Sequence, residues 1–292
     1  MTDEEGFKPP PYPYDRLDEL KPLAAHHEGG IVDCSIGTPI DAPPKQVVEA
    51  LANSDMERSY PPSIGTPAFR EEIASWSLNR LGCKIDPATE IAAAVGTKEF
   101  VAGLPHWMKL RDPNRDTVLY PAVSYPSYEM GATLAGCRSV AVPVDENWSI
   151  QLEAVSKEDR ARALLLWVNT PGNPAGGLDD LDAVAYWGRT NQIPVFSDEC
   201  YCEFTWDGSP RTILSSGTQG VVSVHSLSKR SNLAGLRAGF YVGDADIVDY
   251  LREVRKHAGF MVPGPAQAAA VAALSDQDHV EQQRETYWNR LN

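Results

Sequence analysis

What most constrains this chain is an alternation of short apolar runs with segments of helical periodicity. The runs Ile91–Val95, Thr117–Tyr120, Ser139–Val142, Ala163–Val168, Pro194–Ser197, Val221–His225 and Arg237–Val242 read as strands. Between most of them, apolar residues recur at three- and four-residue spacing, most clearly over Lys98–Leu110, Pro126–Ala135 and Leu181–Asn191. Several runs are apolar almost throughout, the pattern of strands covered by helices on both faces. This alternation predicts an α/β domain built on a largely parallel sheet. The last run follows Val221–His225 too closely for a helical crossover, which takes about a dozen residues, so it is expected to enter antiparallel. Three more helices are expected beyond it, over Asp246–His257, Pro265–Leu274 and Asp276–Leu291.

Charge narrows the class of partner. Among 292 residues, 40 are Asp or Glu and 26 are Lys or Arg, a net charge of −14. Such a surface repels phosphate backbones, so nucleic acid is not an expected partner, although local basic pockets remain compatible with it. No apolar run approaches the ~18–20 residues that cross a bilayer, so no membrane partner is expected. Met1–Pro13 is acidic and proline-rich, unlike a secretory signal, which makes the cytoplasm the expected compartment. Cys34, Cys83, Cys137, Cys200 and Cys202 are odd in number and scattered, and no second Cys/His pair near Cys200 and Cys202 completes a zinc tetrahedron. Buried thiols and no metal are expected.

Ligands in such sheets sit outside the carboxyl ends of the strands, so the residues after each apolar run carry the functional argument. After Ile91–Val95 comes Gly96-Thr97-Lys98-Glu99 at a helix start, where free N–H groups favour an anion. After Ala163–Val168 comes the turn-rich loop Asn169-Thr170-Pro171-Gly172-Asn173-Pro174. Asp198-Glu199-Cys200-Tyr201 follows the fifth run; Asp198 there is either a cap or a paired buried acid. Ser226-Leu227-Ser228-Lys229 follows the sixth, with Arg237 eight residues on, and Lys229 fits either a solvated turn or an imine-forming amine. Tyr125 and Tyr128 stand at a helix start, where core packing would also explain them.

Taken in order, these residues resemble the class I and II aminotransferases, the fold-type-I enzymes of pyridoxal 5'-phosphate (PLP), over nearly the whole chain. PLP requires a lysine for its aldehyde, an acid for its pyridinium nitrogen and donors for its phosphate. The resemblance implies Lys229 as the Schiff-base lysine and proton carrier, and Asp198 as the partner of the ring nitrogen. It implies Tyr201 and Asn173 at the phenolic oxygen and Tyr125 against the ring. Ser226, Arg237 and the Gly96-Thr97-Lys98 turn would hold the phosphate. Tyr60, in Tyr60-Pro-Pro-Ser-Ile-Gly65, is similar to the family's tyrosine that reaches the neighbouring subunit's phosphate, which implies a homodimer with shared sites. Gly37 matches a glycine near the substrate carboxylate, with Asn173 also on the substrate side.

The same resemblance implies a large cofactor domain over 45–275 with a seven-stranded, mostly parallel sheet. An N-terminal arm and small-domain part would cover 1–44, and 276–292 would begin the helix leading to a C-terminal small domain. That domain supplies the family's arginine for the substrate α-carboxylate; no residue here matches it, and the chain is expected to be a fragment or truncated product. The implied reaction is ping-pong transfer of an amino group between an amino acid and a 2-oxo acid. His225–Phe240, Arg255–Pro263 and Ser197–Tyr201 look most like the actinobacterial-type succinyldiaminopimelate transaminases, with glutamate as donor. Arg230 or the Arg255-Lys256-His257 cluster would then receive the distal negative charge, unless the latter only offsets a helix dipole. The same cofactor residues also serve other aminotransferases, β-lyases and inactive PLP-binding chains.

Overall fold

Seven strands pair into one sheet in the order β1-β7-β6-β5-β4-β2-β3 in a computed structural model that describes residues 6–206 and 208–292. They are β1 (Ile91–Ala94), β2 (Thr117–Pro121), β3 (Arg138–Val142), β4 (Ala163–Asn169), β5 (Val195–Asp198), β6 (Val221–Ser226) and β7 (Gly239–Gly243). The pairs from β6 through β5, β4 and β2 to β3 are parallel, while β7 runs antiparallel to both β6 and β1. The short link explains this direction: between Ser226 and Gly239 there is room only for a helical turn over Leu227–Arg230 and a 3-10 turn over Ala234–Leu236.

Helices of eight or more residues among those described are α1 (Lys45–Ala52), α2 (Pro67–Leu81), α3 (Thr97–Arg111), α4 (Ser127–Leu134), α5 (Leu181–Asn191), α6 (Ala245–His257), α7 (Gly264–Ser275) and α8 (Asp278–Leu291). Side chains alternate across each strand, so a continuous apolar run feeds two cores. Leu166 and Val168 join Phe69, Ile73 and Trp76 of α2, Val184 of α5 and Ala269 of α7. Leu165 and Trp167 join Phe100 and Leu104 of α3, Tyr128 of α4 and Leu251 of α6. Removing a fully buried Trp167 side chain would cost about 3–5 kcal/mol.

Two elements go beyond the periodicity argument. Helices α1 and α2 were not among the expected segments, yet α2 carries its own punctuation. Thr66 Oγ1 accepts from Phe69 N at 3.2 Å, Pro67 opens the helix, and Gly82 closes it in the left-handed conformation, φ +70°. The last strand also starts later than its apolar run suggested: Arg237 precedes it in a left-handed turn, φ +55°.

Residues 1–38 form a compact unit distinct from 39–292. It holds a 3-10 turn over Pro13–Leu17 and a helical turn over Lys21–Ala24, neither with a buried residue. Gly37 and Cys34 belong to this unit, and Cys34 is exposed, contrary to the expectation of buried thiols; Cys83 and Cys202 are buried. Among the described residues, no helix is long and apolar enough to cross a membrane.

Candidate active site at the carboxyl edge of the sheet

Register gathers the polar residues. Asn169, the last residue of β4, pairs with Asp198, the last of β5, which in turn pairs with Val224 of β6. Ser226 pairs with Gly239, and Gly239 with Ala94. Because β7 is reversed, its beginning lies where the other strands end. Arg237 therefore reaches the same edge as Gly96 and Ser226, although it precedes its strand while Gly96 follows β1 and Ser226 ends β6.

Gly96, Arg237, Ser226 and the start of α3 line one end of this edge. Gly96 has φ +70°, and a Cβ built there would overlap Arg237 Nη2, so glycine is required by both backbone and space. Arg237 Nη1 donates to Ala234 O at 2.8 Å, which anchors the guanidinium beside Gly96. Ser226 Oγ accepts from Ser228 N at 3.1 Å and donates to Ser228 Oγ at 2.9 Å, fixing the turn that presents Lys229. At α3, Thr97 Oγ1 accepts from the Cys200 thiol at 3.4 Å, which ties the helix start to the segment after β5. Lys98, beside it, is exposed.

The other end is built on Asp198, only 6% exposed. Its Oδ2 accepts from Tyr128 Oη at 2.9 Å and its Oδ1 from Cys200 N at 3.2 Å. Burial pushes the Asp198 carboxyl up, while the bonds from Cys200 and Tyr128 pull it back. Tyr128 is fully buried, stacked on Trp167 at 5.1 Å and edge-on to Tyr125 at 6.0 Å. Burial together with the Asp198 carboxylate pushes its phenol well up, so it stays a donor. Asn169 Nδ2 donates to Asp198 O at 2.8 Å and its Oδ1 accepts from Asn173 N at 2.7 Å. Asn173 Nδ2 then donates to Tyr201 Oη at 3.4 Å. Lys229 is half-buried; burial pushes its amine down, and the Cys200 thiol acts against that shift.

The structure thus brings Gly96, Thr97, Tyr125, Asn173, Asp198, Tyr201, Ser226, Lys229 and Arg237 to one edge. Tyr60 is not gathered with them and stands 96% exposed, and Gly37 lies in the unit of residues 1–38. Tyr128 and Asn169 were not singled out as site residues. Their sequence signals were slight: an aromatic three residues after Tyr125, and a polar residue closing an apolar strand.

Two of the cationic candidates for a distal substrate charge, Arg230 and Arg255, are corrected, whereas Lys256 and His257 of the same cluster are exposed. Arg230 is buried, donates to Glu203 Oε1 at 3.4 Å, to Ala273 O at 2.8 Å and to Gln277 Oε1 at 3.0 Å, and lies over Trp76. Arg255 is 1% exposed and forks onto Glu99. Each guanidinium is sealed by partners in the fold, so neither can receive substrate.

Comparison with known proteins agrees with this architecture. The family model "Aminotransferase class I and II" matches residues 30–292. The chain is 42% identical over 286 residues to the 4-dedimethylamino-4-oxo-anhydrotetracycline transaminase OxyQ of Streptomyces rimosus, covering 95% of this chain and 76% of that protein. It is 31% identical to the LL-diaminopimelate aminotransferase of Aquifex aeolicus, covering 96% of this chain and 75% of that one. Among solved structures, a probable N-succinyldiaminopimelate aminotransferase from Thermus thermophilus superposes with a TM-score of 0.86 at 29% identity, covering 95% of this chain and 77% of that one. The chain spans between 66% and 76% of the length of the curated relatives it matches. It belongs to the class I and II aminotransferases, a family of pyridoxal-phosphate-dependent enzymes.

Proposed function

We propose that the chain transfers an amino group between an amino acid and a 2-oxo acid at the edge built from β1, β4, β5, β6 and β7. The observation that carries this reading is the meeting of a buried carboxylate, a burial-depressed lysine and a glycine-opened cationic cradle. These residues fit PLP: a Cβ at position 96 would fill the space beside Arg237, as expected of a turn kept open for an anion. The bound cofactor supplies an aldehyde for the amine and a ring that draws electrons from the substrate α-carbon.

Each residue then has a task. Thr97, Lys98, Ser226, Arg237 and the α3 N–H groups hold the phosphate. Asp198 holds a proton at the ring nitrogen; a cation there restores what its ionised carboxylate loses through burial. Tyr201 and Asn173 donate to the phenolic oxygen, and Tyr125 packs against the ring. Lys229 would hold the aldehyde, and its amine would carry a proton to and from the substrate α-carbon. A depressed amine pKa enlarges the neutral fraction that can act as base. Over 45–275 the chain is the cofactor domain, with 276–292 leading toward a small domain. A cytoplasmic homodimer belongs to the same proposal, with the exposed Tyr60 reaching a partner copy's phosphate.

For the substrate we infer N-succinyl-L,L-2,6-diaminopimelate, with 2-oxoglutarate as acceptor, in lysine and diaminopimelate biosynthesis. Support comes from the diaminopimelate names of the Aquifex and Thermus relatives. The 42% relative favours a second reading, amination of a ketone on a polycyclic acceptor, because its name states an oxo-anhydrotetracycline.

Supplying PLP and glutamate to the purified chain should shift the cofactor absorbance and release 2-oxoglutarate. Lys229→Ala should show neither the linked-lysine absorbance nor turnover, and borohydride should label Lys229 in the wild type. Wild-type turnover in Lys229→Ala sinks the assignment. Comparing kcat/KM for succinyldiaminopimelate, LL-diaminopimelate and the tetracycline ketone separates the substrate readings.

A further inference from the structure

Arg255 has no role in receiving substrate, yet its partner sits in the turn assigned to the phosphate. Glu99 is the acidic residue in the first turn of α3, and its Oε1 accepts from Val95 N at 2.9 Å, folding the side chain back across Gly96-Thr97-Lys98. From the last turn of α6, Arg255 Nη1 donates to Glu99 Oε2 at 2.9 Å while Nη2 donates to Oε1. The guanidinium carbon lies 4.8 Å from the ring centroid of Phe260, 5.3 Å from Phe100 and 5.8 Å from Tyr241. A carboxylate in a first helical turn suits the helix dipole, but it repels an anion held by the same N–H groups.

We propose that the pair of buried Arg255 and half-buried Glu99 is a positioning device for phosphate binding: it cancels the carboxylate charge in the turn that grips the cofactor phosphate and holds that turn closed. The inference rests on the PLP site proposed above. The forked geometry matters because two parallel N–H···O bonds neutralise both carboxylate oxygens at once. Low-dielectric surroundings matter too, since the rings around Arg255 leave little water to screen an uncancelled charge.

The test compares binding of PLP with binding of pyridoxal, which lacks the phosphate, followed by tryptophan fluorescence in wild type, R255M, E99Q and the double variant. R255M should weaken PLP about tenfold and pyridoxal less than about twofold, because only the phosphate meets the exposed charge. The double variant should return to within about threefold of wild type, since the glutamine amide oxygen still accepts from Val95 N but carries no charge. Equal loss of both aldehydes in R255M, or a double variant as weak as R255M, overturns the inference in favour of lost packing. Should R255M fail to fold, E99Q decides: PLP affinity must be equal or tighter, and a clear loss overturns the proposal. A wild type that binds pyridoxal as tightly as PLP would sink the site reading itself, and this inference with it.

Discussion

Asp198 and Glu199 are neighbours in sequence, both acids and both buried, yet they face opposite sides of the sheet. Asp198 shares its face with Phe196 and Tyr128 and lies at the edge where Lys229 and the glycine-opened cradle meet. Glu199 enters the other core, where its Oε1 accepts from Ile213 N at 2.8 Å and its Oε2 lies 3.5 Å from the His225 ring. His225 is itself stacked on Phe240 and edge-on to Trp76. Burial pushes both acids up. The difference lies in what each can meet: Asp198 borders an open edge where a ligand cation can come to it, whereas Glu199 is enclosed with a neutral imidazole, a backbone donor and the hydroxyls of Thr212 and Ser197. Burial of an acid is therefore not a functional signal by itself; burial beside an opening is.

Exchanging each acid for its amide is the direct way to break this contrast. Asp198→Asn should lower turnover on the order of 10²–10³-fold, the loss typical of removing one preorganised electrostatic partner. Its melting temperature should stay level or rise, because the amide has no ionised form for burial to penalise. A variant that keeps its rate but melts early would place Asp198 with Glu199 as a structural acid. Gly96→Ala sharpens the same boundary with a smaller effect. A Cβ in the left-handed conformation beside Arg237 should weaken PLP about tenfold, in proportion to the 1–3 kcal/mol of backbone strain. Calorimetry with and without cofactor checks it, and unchanged affinity would remove Gly96 from the cradle.

Much of the opening was legible because a parallel sheet aligns its strand ends: Gly96, Asn173, Asp198 and Lys229 each follow an apolar run. Even the reversal of β7 followed from the short link after Ser226. What failed to show were partners distant in sequence. The basic end of α6 reads the same whether Arg255 is solvated or buried, and only Glu99, 156 residues away, decides it. Tyr128 reads as core until Asp198, 70 residues on, gives its hydroxyl an acceptor. Arg237 was drawn into the last strand because the apolar run gives no sign of the left-handed turn before it. Helix α2 was legible in its punctuation, Thr66-Pro67 at its start and Gly82 at its end.

The smallest expected effect is the most exacting test of the contrast. Burial pushes the Glu199 carboxyl from its ordinary 4.5 up to about 7, against bonds from Ile213 N–H, Thr212 and Ser197 and with a push from Asp198. Burial and the nearby Arg230 cation push His225 from 6.5 down to about 3. Glu199 alone makes stability fall as pH rises from 4.5 to about 7, since the native state keeps a proton that the unfolded chain releases. His225 alone makes stability rise with pH from about 3 to 6.5, since there the unfolded chain holds the extra proton. Between pH 4.5 and 6.5 the two slopes cancel: each state carries one proton, on Glu199 when native and on His225 when unfolded. Glu199→Gln removes one side of that balance. Turnover should stay within about twofold, as for a substitution that touches no reacting group. Relative to wild type, the stability of the variant should climb from pH 4.5 to about 7, by at most about 1.4 kcal/mol per pH unit, and level off above it. Urea midpoints of both proteins at three pH values across that window read the slope. Parallel curves would mean that the proton never resides on Glu199, and the two acids would no longer differ in the way their surroundings predict.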